Sequence, residues 1–414
     1  MKLAVTILVF CVAGLLALGM VMLYSSSMMT VGSRYLVMQL TWCGFGLLLC
    51  LGMVLLDYRW LRKAAWPCLA VALVLLVLVF ERHIGIRVNG ARRWIHYGSI
   101  RFQPSEFAKL ALLMVLAWYC ERYQRQMQTF KRGILIPGSL IAMVLGLVFV
   151  EPDRGCTILL ACVSGAMLLV AGVKWKFFVP PVFLGLVGLG VSLLHDPMRI
   201  RRIFAWLYLE KHKDNAGYQA YEAMLALGSG GWTGLGLGNG RQKLGFVPEH
   251  HTDFILSIIG EELGLVTTLL VVLAFVAIIL CGLYIAWRAP DTFGLLLGTG
   301  ITFLIGLQAF INIGVVTSAL PNKGLPLPFI SYGGSNLLIM LTCVGVLLAI
   351  ARQGRTGGGL IRGTAQAEPE MGFRRERNPF KTRESTETSA HRASVSIGSW
   401  WTNKKPACPV SVQT

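Results

Sequence analysis

With 414 residues, 55% of them hydrophobic and only 14% charged, the chain has a balance that excludes both an ordinary soluble enzyme and a disordered chain. A formal net charge of +18 would suit nucleic acid, but the basic residues are divided among short loops rather than gathered in one domain, which sets that partner aside. What remains is a polytopic membrane protein.

A bilayer's hydrocarbon core takes about 20 mostly apolar residues per helix. Runs of that kind recur at 3–23, 35–56, 64–80, 104–120, 133–150, 155–173, 177–194, 254–287, 292–317 and 333–351. The expected fold is therefore all-α, with about ten transmembrane helices in residues 1–352, a large outer loop at 195–252 and a disordered basic cytoplasmic tail at 353–414. The first run lacks a small-residue cleavage site and leads into YSSSMMT, so it is read as an uncleaved helix. The ten cysteines show no CxxC pairing and read as small core residues. No internal repeat is visible.

An even number of spans puts both termini on one side, and the basic tail tips that side to the cytoplasm. The outer loops of this topology are also basic, from Arg82 to Arg101, from Arg199 to Arg202, and at Lys211, Lys213, Arg241 and Lys243. Arginine's planar fork suits an anionic ligand such as a phosphate, whereas lipid headgroups and acidic polymers are the plainer explanation.

Four charged stretches interrupt this apolar background. In RRWIHYGSIRFQPSEFAKL, residues 92–110, a basic loop runs into a helix opened by Pro104, and Glu106 and Lys109 stand at i and i+3, within ion-pair reach. EPDRG, residues 151–155, sets Glu151, Asp153 and Arg154 in a short turn between two spans. LPNKGLPLPFISYGGSNLL, residues 320–338, has three prolines and a Gly-Gly pair and should be irregular, which at membrane depth requires protein or a cavity beside it.

FVPEHHTDFILSIIGEELG, residues 246–264, is the fourth. The run 265–287 already spans, so residues 253–264 extend the helix by roughly 18 Å at 1.5 Å per residue. Thr252 is the expected N-cap, with Asp253 in the first turn. Glu261 lies about 80° round from Asp253 and Glu262 nearly opposite, so at least one glutamate is expected to pair structurally with another helix. Glu249, His250, His251 and Asp253 lack HExxH spacing, which argues against zinc, whereas a magnesium-type ion held partly by substrate phosphates needs only one or two carboxylates. Just upstream, GSGGWTGLGLGNGRQKLG, residues 228–245, carries no nucleotide signature and reads as a mobile outer loop ending in Arg241 and Lys243.

In order and spacing, RRWIHYGSIRFQPSEFAKL, EPDRG, GFVPEHHTDFILSIIGEELG and LPNKGLPLPFISYGGSN resemble the SEDS (FtsW/RodA/SpoVE) family over residues 1 to about 352. NKG and IIGEELG look more like its division-type members, while GLPLPF is closer to the elongation type. The resemblance implies a ten-helix fold in the bacterial cytoplasmic (inner) membrane. It also implies a peptidoglycan glycosyltransferase that polymerises lipid II on the outer face, with a class B penicillin-binding protein and other divisome membrane proteins as partners. By motif position Asp253 matches the family's essential aspartate, and Arg101, Glu106, Lys109 and Asp153 match its important polar residues; Arg241, Lys243 and Ser331 complete the expected substrate-binding set. No cofactor is firmly implied, and a divalent cation, magnesium or manganese, is the candidate. Arg154, where a hydrophobic residue is usual, and His250 and Asn336, where small residues are commoner, depart from the pattern. A lipid II flippase, an elongation polymerase and a non-catalytic scaffold are the alternatives.

Overall fold

The computed structural model describes residues 1–27, 32–81, 85–88, 91–97, 100–194, 197–215, 217–244 and 251–365. Every expected apolar run is a helix. In chain order these are α1 (Lys2–Ser27), α2 (Arg34–Leu55), α3 (Arg59–Leu78), α4 (Pro104–Arg122), α5 (Ile136–Val150, entered through a π turn at Lys131–Leu135), α6 (Arg154–Val170) and α7 (Val179–Leu194). After α8 (Pro197–Leu207) and α9 (Tyr218–Ser229) come α10 (Ile255–Trp287), α11 (Thr292–Val316) and α12 (Gly334–Ala365). Among the described residues 8 helices are long and apolar enough to cross a membrane; α4, with its charged residues, and the shorter α6 fall outside that count.

The buried core centres on α4, α11 and α12, which the other helices surround. α2 packs along α12, α3 along α4, α1 and α11 along α10, and α6 against α11. α7 lies at the other extreme, with most of its apolar side chains exposed, as a surface facing hydrocarbon should be. Both chain ends of the bundle lie together: a Cβ at Gly354 would come within 3.0 Å of Met1 and 2.8 Å of the Arg288 carbonyl. Tyr58 donates to Asp291 Oδ1 at 2.6 Å on that same end, and Asp291 caps α11 through Gly294 N at 2.9 Å.

Several expectations need correction. The run before α4 is not merely a basic loop: β1 (Gly85–Val88), β2 (Ala91–Tyr97) and β3 (Ile100–Phe102) form an antiparallel sheet in the order β1-β2-β3. The 195–252 loop contains α8 and α9, docked on the segment before α12 by Trp206 Nε1 donating to Ser318 O at 2.8 Å and Asn322 Nδ2 donating to Gln219 Oε1 at 3.0 Å. Thr252 does not cap α10, because the chain remains in a turn until Ile255 and Phe254 occupies the cap position. α12 continues past residue 352 to Ala365; the tail from 366 onward lies outside the described residues.

The largest correction concerns 228–245. The described part of this stretch, 228–244, is tied down by hydrogen bonds, although most of its residues from Gly231 to Gly238 stay exposed. α10 is interrupted at Gly264, where φ is 77° and ψ −177°, a conformation open to glycine alone. Into the break comes the stretch 231–236: Leu235 N and Gly236 N donate to the carbonyls of Glu261 and Glu262 at 3.0 Å, and Leu265 N donates to Gly231 O at 2.9 Å. The two glutamate side chains clamp residues 238–243. Glu261 Oε1 accepts from the backbone N of Arg241 at 2.7 Å and of Gln242 at 3.2 Å. Glu262 accepts from Ser25 Oγ at 2.7 Å and Gly238 N at 3.0 Å, and pairs with Lys243 Nζ at 2.6 Å. Lys243 also donates to Ser25 Oγ and Gly238 O, so all three of its donors are used.

Lys243→Met should therefore leave Glu262 buried without its counter-charge, lowering stability by about 3–5 kcal/mol. Thermal unfolding of the detergent-solubilised protein measures it, and adding Glu262→Gln should recover part of the loss.

Candidate functional site

At the end of the bundle opposite Met1, the irregular segment 317–333 and the turn before α10 meet. Their backbones are tied together by buried side chains. Ser331 Oγ donates to Thr252 O at 2.6 Å and accepts from Leu327 N at 2.8 Å, while Tyr332 N donates to His251 O at 3.0 Å. From α11, Asn312 Nδ2 donates to both Asp253 O, at 2.8 Å, and Leu325 O, at 2.7 Å. Asp253 is thereby fixed at a half-buried position beside Gly324. A Cβ at Gly324 would lie 2.6 Å from Asp253 Oδ2, so glycine is what leaves the carboxylate its room.

The support for this arrangement runs deep into the bundle. Lys109 Nζ lies 2.8 Å from Glu106 Oε2 and donates to Gln308 Oε1 at 3.0 Å; Gln308 Nε2 donates in turn to Pro326 O and Asn336 Oδ1, each at 2.9 Å. Lys109 and Glu106 are 0% and 3% exposed. A polar line thus passes from α4 through α11 to the segment that flanks Asp253, and Asn336 is one of its ends. Lys109, Glu106, Ser331 and Lys243, expected in the substrate-binding set, are each buried and engaged by protein atoms, so they hold the frame of the site. Arg241 is exposed, and its backbone N is held by Glu261.

Cations gather beside Lys323, the residue before Gly324. Burial, followed by the charges of Arg154 and Arg202, pulls the Lys323 ammonium below its ordinary pKa; Asp153 opposes this and Arg93 adds to it. Arg93, on β2, donates from Nε to Glu151 O at 3.2 Å and from Nη2 to Pro152 O at 2.7 Å, and the Arg154 guanidinium sits 5.0 Å from the centre of the Phe149 ring. Asp153 is the N-cap of α6: Oδ1 accepts from Cys156 N at 3.1 Å and Oδ2 from Gln103 Nε2 at 3.2 Å. Arg101 is exposed on β3, whose end is tied to α12 by Gln103 N donating to Ser335 Oγ at 3.0 Å. Local sequence carries no sign of Lys323 or Arg202 as members of this group, because they come together only through the docking of α8 on 317–333. Glu249 and His250 lie outside the described residues.

Glu151 is the odd member. Its carboxyl is fully buried and, among the described residues, neither oxygen has a hydrogen-bond partner. Burial raises its pKa to about 8, with Asp153 adding to the rise and Arg93 opposing it. The folded state thus keeps a proton that the unfolded chain loses near 4.5, so the stability this group confers is complete below 4.5 and is lost as pH rises towards 8. Glu151→Gln should melt higher relative to the parent as pH rises through that window, with the gap constant above it; melting temperatures across pH 4–9 measure it.

Residues 6–356 match the FTSW_RODA_SPOVE family of cell cycle proteins. The chain is 39% identical over 354 residues to a probable peptidoglycan glycosyltransferase FtsW of Trichlorobacter lovleyi, covering 83% of this chain and 92% of that protein. It is 37% identical over 350 residues to stage V sporulation protein E of Bacillus subtilis, covering 82% and 95%. Among solved structures, a chain from work on the structural coordination of polymerization and crosslinking by a peptidoglycan synthase complex superimposes with a TM-score of 0.72 at 29% identity, over 84% of this chain and 97% of that one. With the motifs, the helical bundle and these likenesses in agreement, the chain belongs to the FtsW/RodA/SpoVE family.

Proposed function

We propose that this protein is a peptidoglycan glycosyltransferase of the FtsW type, in which Asp253 takes the proton of an acceptor sugar hydroxyl while the cations around Lys323 hold the departing diphosphate. The observation that carries this reading is the contact of Asp253 with the Lys323–Gly324 turn. A carboxylate and a partly buried lysine stand side by side there, and an incoming anion would offset the burial, and with it the charges of Arg154 and Arg202, that depress Lys323.

The reaction follows from those two features. The C4 hydroxyl of an acceptor GlcNAc attacks C1 of the donor MurNAc; the new C–O bond forms as the bond to the diphosphate breaks, with inversion, and the hydroxyl proton passes to Asp253. Undecaprenyl diphosphate leaves as an anion and needs cations rather than an acid, which Lys323, Arg154 and Arg202 supply. Lipid II is then the substrate, polymerised at the outer face of the cytoplasmic membrane for cell division. The relatives named FtsW support the division role, and the peptidoglycan synthase complex among the structural neighbours supports a class B penicillin-binding protein as partner. The proximity of Met1 to Gly354 supports both ends of the bundle lying on one side of the membrane, and the basic residues beyond Gly354 favour the cytoplasm as that side.

Among the described residues no three His, Cys, Asp or Glu side chains gather as a metal centre. A divalent cation carried by the diphosphate would need only one or two protein carboxylates, and Asp253 is the one at hand.

Purified with its partner synthase and given labelled lipid II, Asp253→Asn should form glycan strands about 10²–10⁴-fold more slowly than the parent while keeping its melting temperature. Polymerisation at the parental rate by the folded variant would remove Asp253 from the chemistry, and lipid II translocation without polymer would favour a transporter.

A further inference from the structure

At the turn that carries Asp253, three rings from three separate elements converge. Tyr35, in the first turn of α2, stacks on Tyr332 with centroids 4.7 Å apart and planes 28° from parallel, and on His251 at 5.0 Å and 25°. His251 and Tyr332 lie 6.0 Å apart at 53°. The three distances describe a triangle, so His251 and Tyr332 share one face of Tyr35 instead of enclosing it.

Fold stability alone does not call for this cluster. The same junction is already fixed by polar contacts: Gln39 Nε2 donates to Ser331 O at 3.1 Å, Gly333 N donates to Gln39 Oε1 at 3.2 Å, and Tyr332 N is bonded to His251 O. A purely structural aromatic knot would be buried like Tyr58 or Phe254, yet all three rings are only half-buried. Nor do they resemble interfacial anchors on an outward helix surface, because His251 and Tyr332 belong to the two segments that position Asp253, His251 being two residues from it. Arg34 and Arg101, both exposed, are near enough for their charges to act on Tyr332. A ring surface edged by guanidinium donors matches the chemistry of a hexopyranose, which offers a face of C–H groups and a rim of hydroxyl and acetamido oxygens.

We propose that Tyr35, His251 and Tyr332 form a saccharide-stacking platform that binds the acceptor N-acetylhexosamine and presents its hydroxyl to Asp253, with Arg34 and Arg101 at the rim. The assignment of the bound sugar as acceptor rests on the glycosyltransferase reading; the platform itself does not need turnover. It gives Asp253 two kinds of neighbour, the cations by Lys323 for the diphosphate and the rings for a sugar.

The test uses the full-length protein in nanodiscs, in an Asp253→Asn background, with a soluble GlcNAc–MurNAc tetrasaccharide as probe and saturation-transfer NMR as readout. Saturation should reach the sugar ring protons, persist in Tyr35→Phe, and fall at least about fivefold in Tyr35→Leu. With Asp253 restored and the partner synthase present, Tyr35→Leu should raise the KM for lipid II about tenfold with kcat little changed, a difference of about 1.4 kcal/mol in binding. Equal saturation in Tyr35→Phe and Tyr35→Leu, or an unchanged KM, would overturn the platform. If Tyr35→Leu melts early, Tyr332→Leu supplies the same comparison. A tetrasaccharide signal that depends on Tyr35 in a protein found not to polymerise would leave the platform standing and remove only the glycosyltransferase reading.

Discussion

Two adjacent carboxylates, Glu261 and Glu262, lie at 1% and 0% exposure in a helix that is otherwise apolar for most of its length. Charge in that setting is tolerable only where donors surround it, since no water is at hand to replace them. The donors here come from the chain just upstream and from α1. Meeting that demand brings 231–243 back onto α10, forces the break at Gly264 and links the far end of α1 to the same knot through Ser25. The short helical segment from Ile255 to Leu263 is thus held as a separate piece, with the glutamates at one end and Asp253 just before the other.

A second buried charge pair does the corresponding work from below. The Lys109–Glu106 pair is anchored in α4, yet its hydrogen bonds lead through Gln308 to Pro326, and Asn312 one turn along α11 carries the line to Leu325 and Asp253. Gln308 and Asn312 are four residues apart on one helical face, so a rigid element sets the spacing between the two contacts. The irregular segment before α12 has few backbone partners of its own. It is kept in shape by these amides and by the Ser331 hydroxyl, which explains why proline and glycine can dominate a stretch that must still be placed accurately.

Hydropathy made the ten helical runs legible, because a membrane span is a property of about 20 consecutive residues and needs no knowledge of neighbours. Asp253, Asp153, Glu106 and Lys109 were legible as polar residues out of place among apolar ones. The small sheet has a mark in the sequence: Asn89-Gly90, a dipeptide typical of two-residue hairpins, stands between β1 and β2, and Gly98-Ser99 between β2 and β3. The glycine-rich stretch misled for a different reason. Glycine reads as freedom, but at Gly234, with φ of 80°, its missing side chain lets the backbone press against the Glu262 carbonyl. Lys243 looked like a free cation because its partner, Glu262, is 19 residues away across a fold-back that no local pattern announces.

Lys323, at the centre of the cations, and Tyr332, one of the three rings, belong to one segment, 317–333, which reaches Asp253 and its neighbours at Gly324, at Ser331 and at Tyr332. That shared ownership constrains how the site can change. Movement of α8 or α9, which hold the segment at Ser318 and Asn322, would shift the cationic flank first. Movement of α2 would shift the aromatic flank first, since Gln39 and Tyr35 grip the segment's other end. Between the two, Asn312 ties the backbones of Asp253 and Leu325 to α11, one of the most deeply buried helices. A site whose flanking elements answer to different peripheral helices, while the backbone of Asp253 is fixed to the core, can let those elements shift without displacing the residue between them.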